Sequence, residues 1–164
     1  MNELTVIRHR VLAPIAGGAV SAKWYGQAIG KLLAKTIDLT SDDIRVALLK
    51  NTYTPDQDAH VFWSDVSAGT NEVTGTGYTA NGVALTSKAL TYDSATNKTT
   101  FGAANVSWTS ATFTARYAVY YDRTPSTDAT RPLLVYVDFG ADVPVSVGSL
   151  LLDLSAGIAT VTPA

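Results

Sequence analysis

Apolar and polar residues alternate with a period of two through most of the second half of this chain, and with a period near 3.6 in one early stretch only. The alternating segments fall at about 82–92, 97–102, 105–108, 112–121, 132–139, 144–154 and 157–162, with no helical pattern between them. Turn-forming runs separate them: Asp93-Ser-Ala-Thr-Asn97, Asp122-Arg-Thr-Pro-Ser126 and Gly140-Ala-Asp142. Ile44 to Leu49 is apolar almost throughout, which predicts a central strand buried on both faces. The runs Leu133-Leu-Val135 and Leu150-Leu-Leu152 are apolar on both faces too, which in an antiparallel sheet usually means that the second face is covered, a subunit interface being one such cover. In 113–121 the pattern puts Phe113, Ala115, Tyr117, Val119 and Tyr121 on one face, with Thr114, Arg116 and Tyr120 on the other.

The helical period belongs to Trp24, Ala28, Leu32 and Leu33, opposed by Lys23, Gln27, Lys31 and Lys35, and predicts a helix capped by Ser21. Gly26 and Gly30 weaken it, either because another segment approaches closely or because the helix is marginal. Thr54-Pro55-Asp56 predicts a turn and a second short helix through Ala59, Phe62, Trp63 and Val66, followed by a loop over 69–78.

Residues 1–20 alternate loosely and carry Pro14 and Gly17-Gly18, which predicts an extended N-terminal arm with a reach of about 70 Å. Its apolar residues Leu4, Val6, Ile7, Val11, Leu12 and Ile15 need a cover, and a neighbouring protein is the expected one. The remaining 21–164 form a single β-rich domain with early helices. The fold class that follows is mainly β: an antiparallel sandwich or barrel-like domain with one or two short helices near the N-terminus.

Composition narrows the chemistry. The 164 residues include no cysteine, which removes disulfides, thiol catalysis and sulfur-ligated zinc. The net charge of −2 gives no field to hold nucleic acid, although residues 1–50 carry seven basic against four acidic side chains and residues 51–164 five against ten. No apolar run is long enough for a membrane helix or a secretory signal, so synthesis and retention in the cytoplasm are expected.

Candidate catalytic groups are sparse. His9 and His60 are the only side chains that serve as bases at neutral pH without a perturbed environment, and His9 falls in the arm. Asp56, Asp58 and His60 imitate a metal cluster, but helical spacing aligns only Asp56 with His60, and helix-capping carboxylates are the simpler reading. Gly75-Thr-Gly77 sits in a loop, and there is no nucleophile elbow or phosphate-binding loop. Asp65, Asp93, Asp122, Asp138 and Asp142 are the acids from which a glycosidase pair would have to come; most stand at turns. Trp24, Trp63 and Trp108, with the tyrosines, are either a sugar-binding surface or packing. No catalytic, cofactor-binding or metal-ligating residue is therefore assigned.

Three stretches carry a resemblance: Tyr53-Thr-Pro-Asp-Gln-Asp-Ala-His60, Glu72-Val-Thr-Gly-Thr-Gly-Tyr-Thr-Ala80 and Ala115-Arg-Tyr-Ala-Val119, flanked by Ile44-Arg-Val-Ala-Leu-Leu49 and Leu134-Val-Tyr-Val-Asp-Phe-Gly140. In this order, from Lys23 to Thr162, they resemble a family of minor virion structural proteins of tailed bacteriophages. The resemblance implies a non-enzymatic subunit, a capsid decoration (cement) or head-fibre-like protein, without catalytic residues or cofactors. Its expected partners are the major capsid protein or another virion structural protein, and other copies of itself, with a trimer favoured. Neither nucleic acid nor membrane is expected as a partner. The implied location is the virion, after synthesis in the host cytoplasm. The arm, longer before Lys23 than the family suggests, is then the expected anchor to the shell. A tail, neck or fibre component, or a carbohydrate- or receptor-binding module, remains the alternative.

Overall fold

The computed structural model describes residues 10–11, whose backbone alone is placed, and 20–162. Of the arm residues expected to bind a partner, Leu4, Val6, Ile7, Leu12 and Ile15 lie outside the described residues. Val11 belongs to a two-residue strand, β1 (Arg10–Val11), whose backbone pairs with Leu152 and Asp153 of the chain's own sheet.

The protein is mainly β and antiparallel. β3 (Ile44–Leu49) lies between β7 (Val106–Asp122) and the short β4 (Val83–Ala84), as its apolar run predicted. β7 pairs along its length with β8 (Leu133–Asp153), and the other edge of β8 takes β1 and β2 (Ser21–Trp24). A second, three-stranded sheet has the order β5 (Ala89–Asp93), β6 (Lys98–Gly102), β9 (Ala159–Val161).

The two faces of β3 explain its composition. Ile44, Val46 and Leu48 enter the larger core, with Trp24, Trp108, Phe113, Tyr120, Leu150 and Leu152, and with Phe101 and Ala159 of the small sheet. Ala47 and Leu49 enter a smaller core on the opposite face, under Tyr25, Tyr53, Trp63 and Val66. The same layer contains Leu133, so this apolar run finds its second cover within the chain.

Several expected elements differ. The helix predicted from Ser21 begins only at Ala28: α1 is Ala28–Leu33, and Ser21–Trp24 is strand β2. The segment Ser-Ala-Lys-Trp also alternates with period two, and pairing with Val135 to Asp138 decides in favour of the strand. The Gly26 amide donates to the Gln57 carbonyl at 2.8 Å, and a Cβ at Gly26 would come within 3.1 Å of that oxygen, so close approach accounts for this glycine. Gly30 has open space around it and simply weakens α1.

The second predicted helix is replaced by a turn after Asp56 and a 3-10 turn at Trp63–Val66, followed by the single-turn α2 (Ala68–Asn71). Phe62 is extended between them and bridges to Pro132. The segment 82–92 divides into β4 and β5 around Ser87, whose φ is +51°. Conversely, 105–108 joins 112–121 as β7, and 132–139 joins 144–154 as β8.

The Gly140-Ala-Asp142 turn is instead a bulge in β8. Ala115 pairs with Val143 and Tyr117 with Asp138, so the single residue 116 faces four on β8. At this irregularity the facing of β7 reverses, overturning the unbroken alternation expected over 113–121. Phe113 and Ala115 point into the larger core, but beyond Arg116 it is Ala118 and Tyr120 that do so, while Val119 and Tyr121 turn to the smaller one.

Candidate functional site

The polar residues of the three motifs hold loops to the sheet. In the first, the Asp56 carboxylate accepts the amides of Asp58 and Ala59 at 3.0 and 2.9 Å, and these bonds keep its pKa below the usual carboxylate value. This is a cap, as expected, although on a turn rather than a helix. His60 Nδ1 lies 3.3 Å from the Asp56 amide and 2.9 Å from the Tyr53 hydroxyl. An amide can only donate, so Nδ1 is assigned as the acceptor, Tyr53 donates to it, and Tyr25 donates to Tyr53 at 2.7 Å. Burial pushes the Tyr53 pKa up to about 12, and raises that of Tyr25 as well.

In the second motif, Tyr78 reaches the buried Glu72 at 2.7 Å. Burial raises the Glu72 pKa against the lowering effect of Tyr78 and of the Asn81 and Gly82 amides. The glycines permit the tight path: Gly75 and Gly77 have positive φ, and a Cβ on either would press on the backbone of Thr112 or Ala111. In the third motif, Arg116 grips Asp138 across the β7–β8 pair at 2.8 Å, and Asp138 also accepts the Gly140 amide at the bulge.

The remaining candidate acids have similar occupations. Asp65 accepts the amides of Val61 and Phe62, which outweigh burial and keep its pKa low. Asp93 closes the β5–β6 turn through Thr96 and Ala95, and Asp122 accepts the Thr124 amide. Asp142 receives the side chain of Asn51 at 2.7 Å. Among the described residues, no three His, Asp or Glu side chains gather as metal ligands, and no helix is long and apolar enough to cross a membrane. Trp24, Trp63 and Trp108 are only 8%, 1% and 3% exposed, and Trp63 stacks on Tyr121 at 4.2 Å, so the tryptophans offered as a sugar platform are core residues.

The described surface also carries an open strand edge. β5 ends the small sheet, all five of its residues are exposed, and Leu90 and Tyr92 project from one face at 53% and 60% exposure. Sequence reasoning placed this stretch inside a longer strand and missed its exposure. The available signal was the weak partner face, Ala89, Thr91 and Asp93, which carries too little apolar surface to be covered on both sides. Compared with protein-family models, with curated proteins and with solved structures, the chain matches none.

Proposed function

We propose that this chain is a non-enzymatic structural subunit of a tailed-bacteriophage particle, a capsid decoration protein that self-associates and attaches to the head shell through its N-terminal arm. The observation that carries the reading is how the motif side chains are used: Asp56, His60, Glu72, Tyr78, Arg116 and Asp138 all bind within the chain, to backbone or to one another. Motifs spent in this way specify a shape, and shape is what a virion subunit contributes. The two sheets, whose side chains share the larger core, are read as a sandwich-like body suited to lie on a shell. A closed ring, with a trimer favoured, would place copies on the local three-fold positions of such a shell.

The test is quantitative mass spectrometry and cryo-electron microscopy of purified particles. Decoration requires on the order of hundreds of copies on the shell, as repeated closed-symmetry oligomers imply; a dozen or fewer at a vertex or tail overturns it. Deleting residues 1–9 should abolish attachment while leaving the circular dichroism spectrum intact.

A further inference from the structure

We propose that β5 is a self-pairing edge: two copies of this chain join through antiparallel β5–β5 pairing about a two-fold axis at Thr91, each lodging Tyr92 against an apolar groove of the other. The contact is a two-fold one, so it joins copies or whole rings in pairs and does not itself close the favoured trimer; it rests on the reading of the chain as a self-associating subunit.

Three observations support it. First, the edge is open among the described residues. No strand pairs with the outer side of β5 among the described residues, its five residues are all exposed, and it has no proline, bulge or inward-pointing charge of the kind that ordinarily protects an edge.

Second, the strand complements itself. Antiparallel pairing centred on Thr91 puts Leu90 opposite the second copy's Tyr92, twice by symmetry, and Ala89 opposite Asp93. Both apolar side chains lie on the face of the small sheet that buries Phe101, because Leu90 pairs with Phe101 across β5–β6. On that face Leu90 lines a groove of about 410 Å³ with Leu32, Ile37 and Leu39, with Lys35 and Asp38 at its polar sites. A tyrosine held across from Leu90 stands at this groove, its ring exposed and its hydroxyl donating to Asn97 of its own turn at 2.8 Å, so the exposed ring and the unfilled hollow occur on the same molecule at cross-strand spacing.

Third, the charges select the direction. Lys88, whose ammonium donates to the Asp42 carbonyl, precedes β5, and Asp93, which accepts from Ala95 and Thr96, ends it, so antiparallel copies bring the acidic end of one toward the basic end of the other, whereas parallel copies would set like against like. An unrelated strand could satisfy the edge hydrogen bonds. It would have no reason to fill the groove or to match this charge order.

The experiment uses the full chain, which contains no cysteine of its own. Thr91→Cys places a thiol on the proposed axis, where directly opposed Cβ atoms stand roughly 4.5–5.5 Å apart. Ser155→Cys, also exposed, serves as the control. Under mild oxidation at ~10 µM protein, Thr91→Cys should form disulfide-linked pairs on the order of a hundredfold faster than Ser155→Cys, because prior pairing gives a millimolar effective concentration. Since the contact is isologous, the native protein should also have twice the sedimentation mass of a Leu90→Lys, Tyr92→Lys double variant whose circular dichroism is unchanged. Equal masses, or equal rates for the two thiols, overturn the pairing, including the case in which another protein's strand occupies the edge. If the pairing fails while particles remain decorated, only this contact is wrong; if it succeeds in a protein absent from the shell, the proposed function is wrong and the contact stands.

Discussion

The hydroxyl of Tyr78 donates to Glu72 Oε1 at 2.7 Å while accepting the Leu48 amide at 3.0 Å, so one oxygen ties the loop after Glu72 to strand β3. Leu48 and Glu72 are both buried, and the Leu48 amide depends on this oxygen, while Glu72 is also served by the Asn81 and Gly82 amides. Tyr78→Phe keeps the ring, which stacks near Trp108 and meets Phe113 edge-on, and removes only the oxygen. Stranding a buried amide and removing one donor from a buried carboxylate should cost about 2–3 kcal/mol, seen as a fall of roughly 4–12 °C in Tm for a chain of this size. A loss below about 0.5 kcal/mol in urea unfolding, the range of an ordinary surface change, would show that the bond carries no such role.

The raised pKa of Glu72 makes a prediction about acid. A carboxyl whose folded pKa lies above its unfolded one contributes stability that is fully present below the unfolded value of 4.5 and is lost as pH rises through the folded value. Glu72→Gln removes this dependence. Native protein should therefore compare best with the variant at pH values below 4.5 and lose ground toward neutrality, as read from urea midpoints across the range. An advantage that instead grows with pH would mean that the carboxylate is better solvated by Tyr78 and the loop amides than its burial implies.

Two glycines should respond oppositely to the same methyl group. At Gly82, φ is +66° and a Cβ would lie 2.1 Å from the Val46 carbonyl oxygen, backbone that cannot move aside within β3. Gly82→Ala should destabilise by more than the 0.4–1 kcal/mol that such a change can gain through the unfolded chain, on the order of several kcal/mol. At Gly30, inside α1, nothing lies within 4 Å of the added carbon. Gly30→Ala should stabilise by about 1 kcal/mol. Thermal melts of the two variants decide both, and a destabilising Gly30→Ala would mean that α1 is held by something other than its own propensity.

The parts of the fold visible in the sequence were those specified by local pattern. Ile44 to Leu49 could be read as a two-faced strand because six apolar residues in a row leave little else for it to be, and Asp93 to Asn97 as a turn because its side chains bond their own backbone. What escaped depended on partners far along the chain. Ser21–Trp24 fits either period, and only the edge of β8, more than a hundred residues away, makes it a strand. The reversal of facing after Arg116 was equally hidden, because it coincides with irregular pairing of Ala115 to Tyr117 against Asp138 to Val143, where Gly140 has a φ of +78°, and nothing in the alternation of β7 marks it. The motif residues were visible as turn chemistry, but not their pairing: Tyr25 and Tyr53 are 28 positions apart and meet through two separate elements.

That meeting leads to a prediction at alkaline pH. Tyr53 titrates near 12 when folded against an ordinary value of 10.0, and burial also raises Tyr25, Tyr78, Tyr120 and Tyr121. A raised folded pKa means stability that is complete below 10.0 and is lost as pH climbs through the folded value. Ionising Tyr53 would also remove the proton it donates to His60 Nδ1 and place a charge beside the Tyr25 ring. The fold should thus persist to about pH 11 and then open cooperatively, releasing several tyrosinates together rather than one at a time. Tyrosinate absorbance followed against near-ultraviolet circular dichroism reads both events at once. Tyr53→Phe should lower stability at neutral pH by about 1–2 kcal/mol, since His60 loses its hydroxyl donor, keeping only the Asp56 amide, and Tyr25 loses its acceptor. It should also lose less stability between pH 10 and 12, because one buried acid has been removed. If the buried tyrosines instead ionise near pH 10 while the dichroism holds, water reaches this cluster in the folded state, and the chain of bonds from Tyr25 to His60 is not closed.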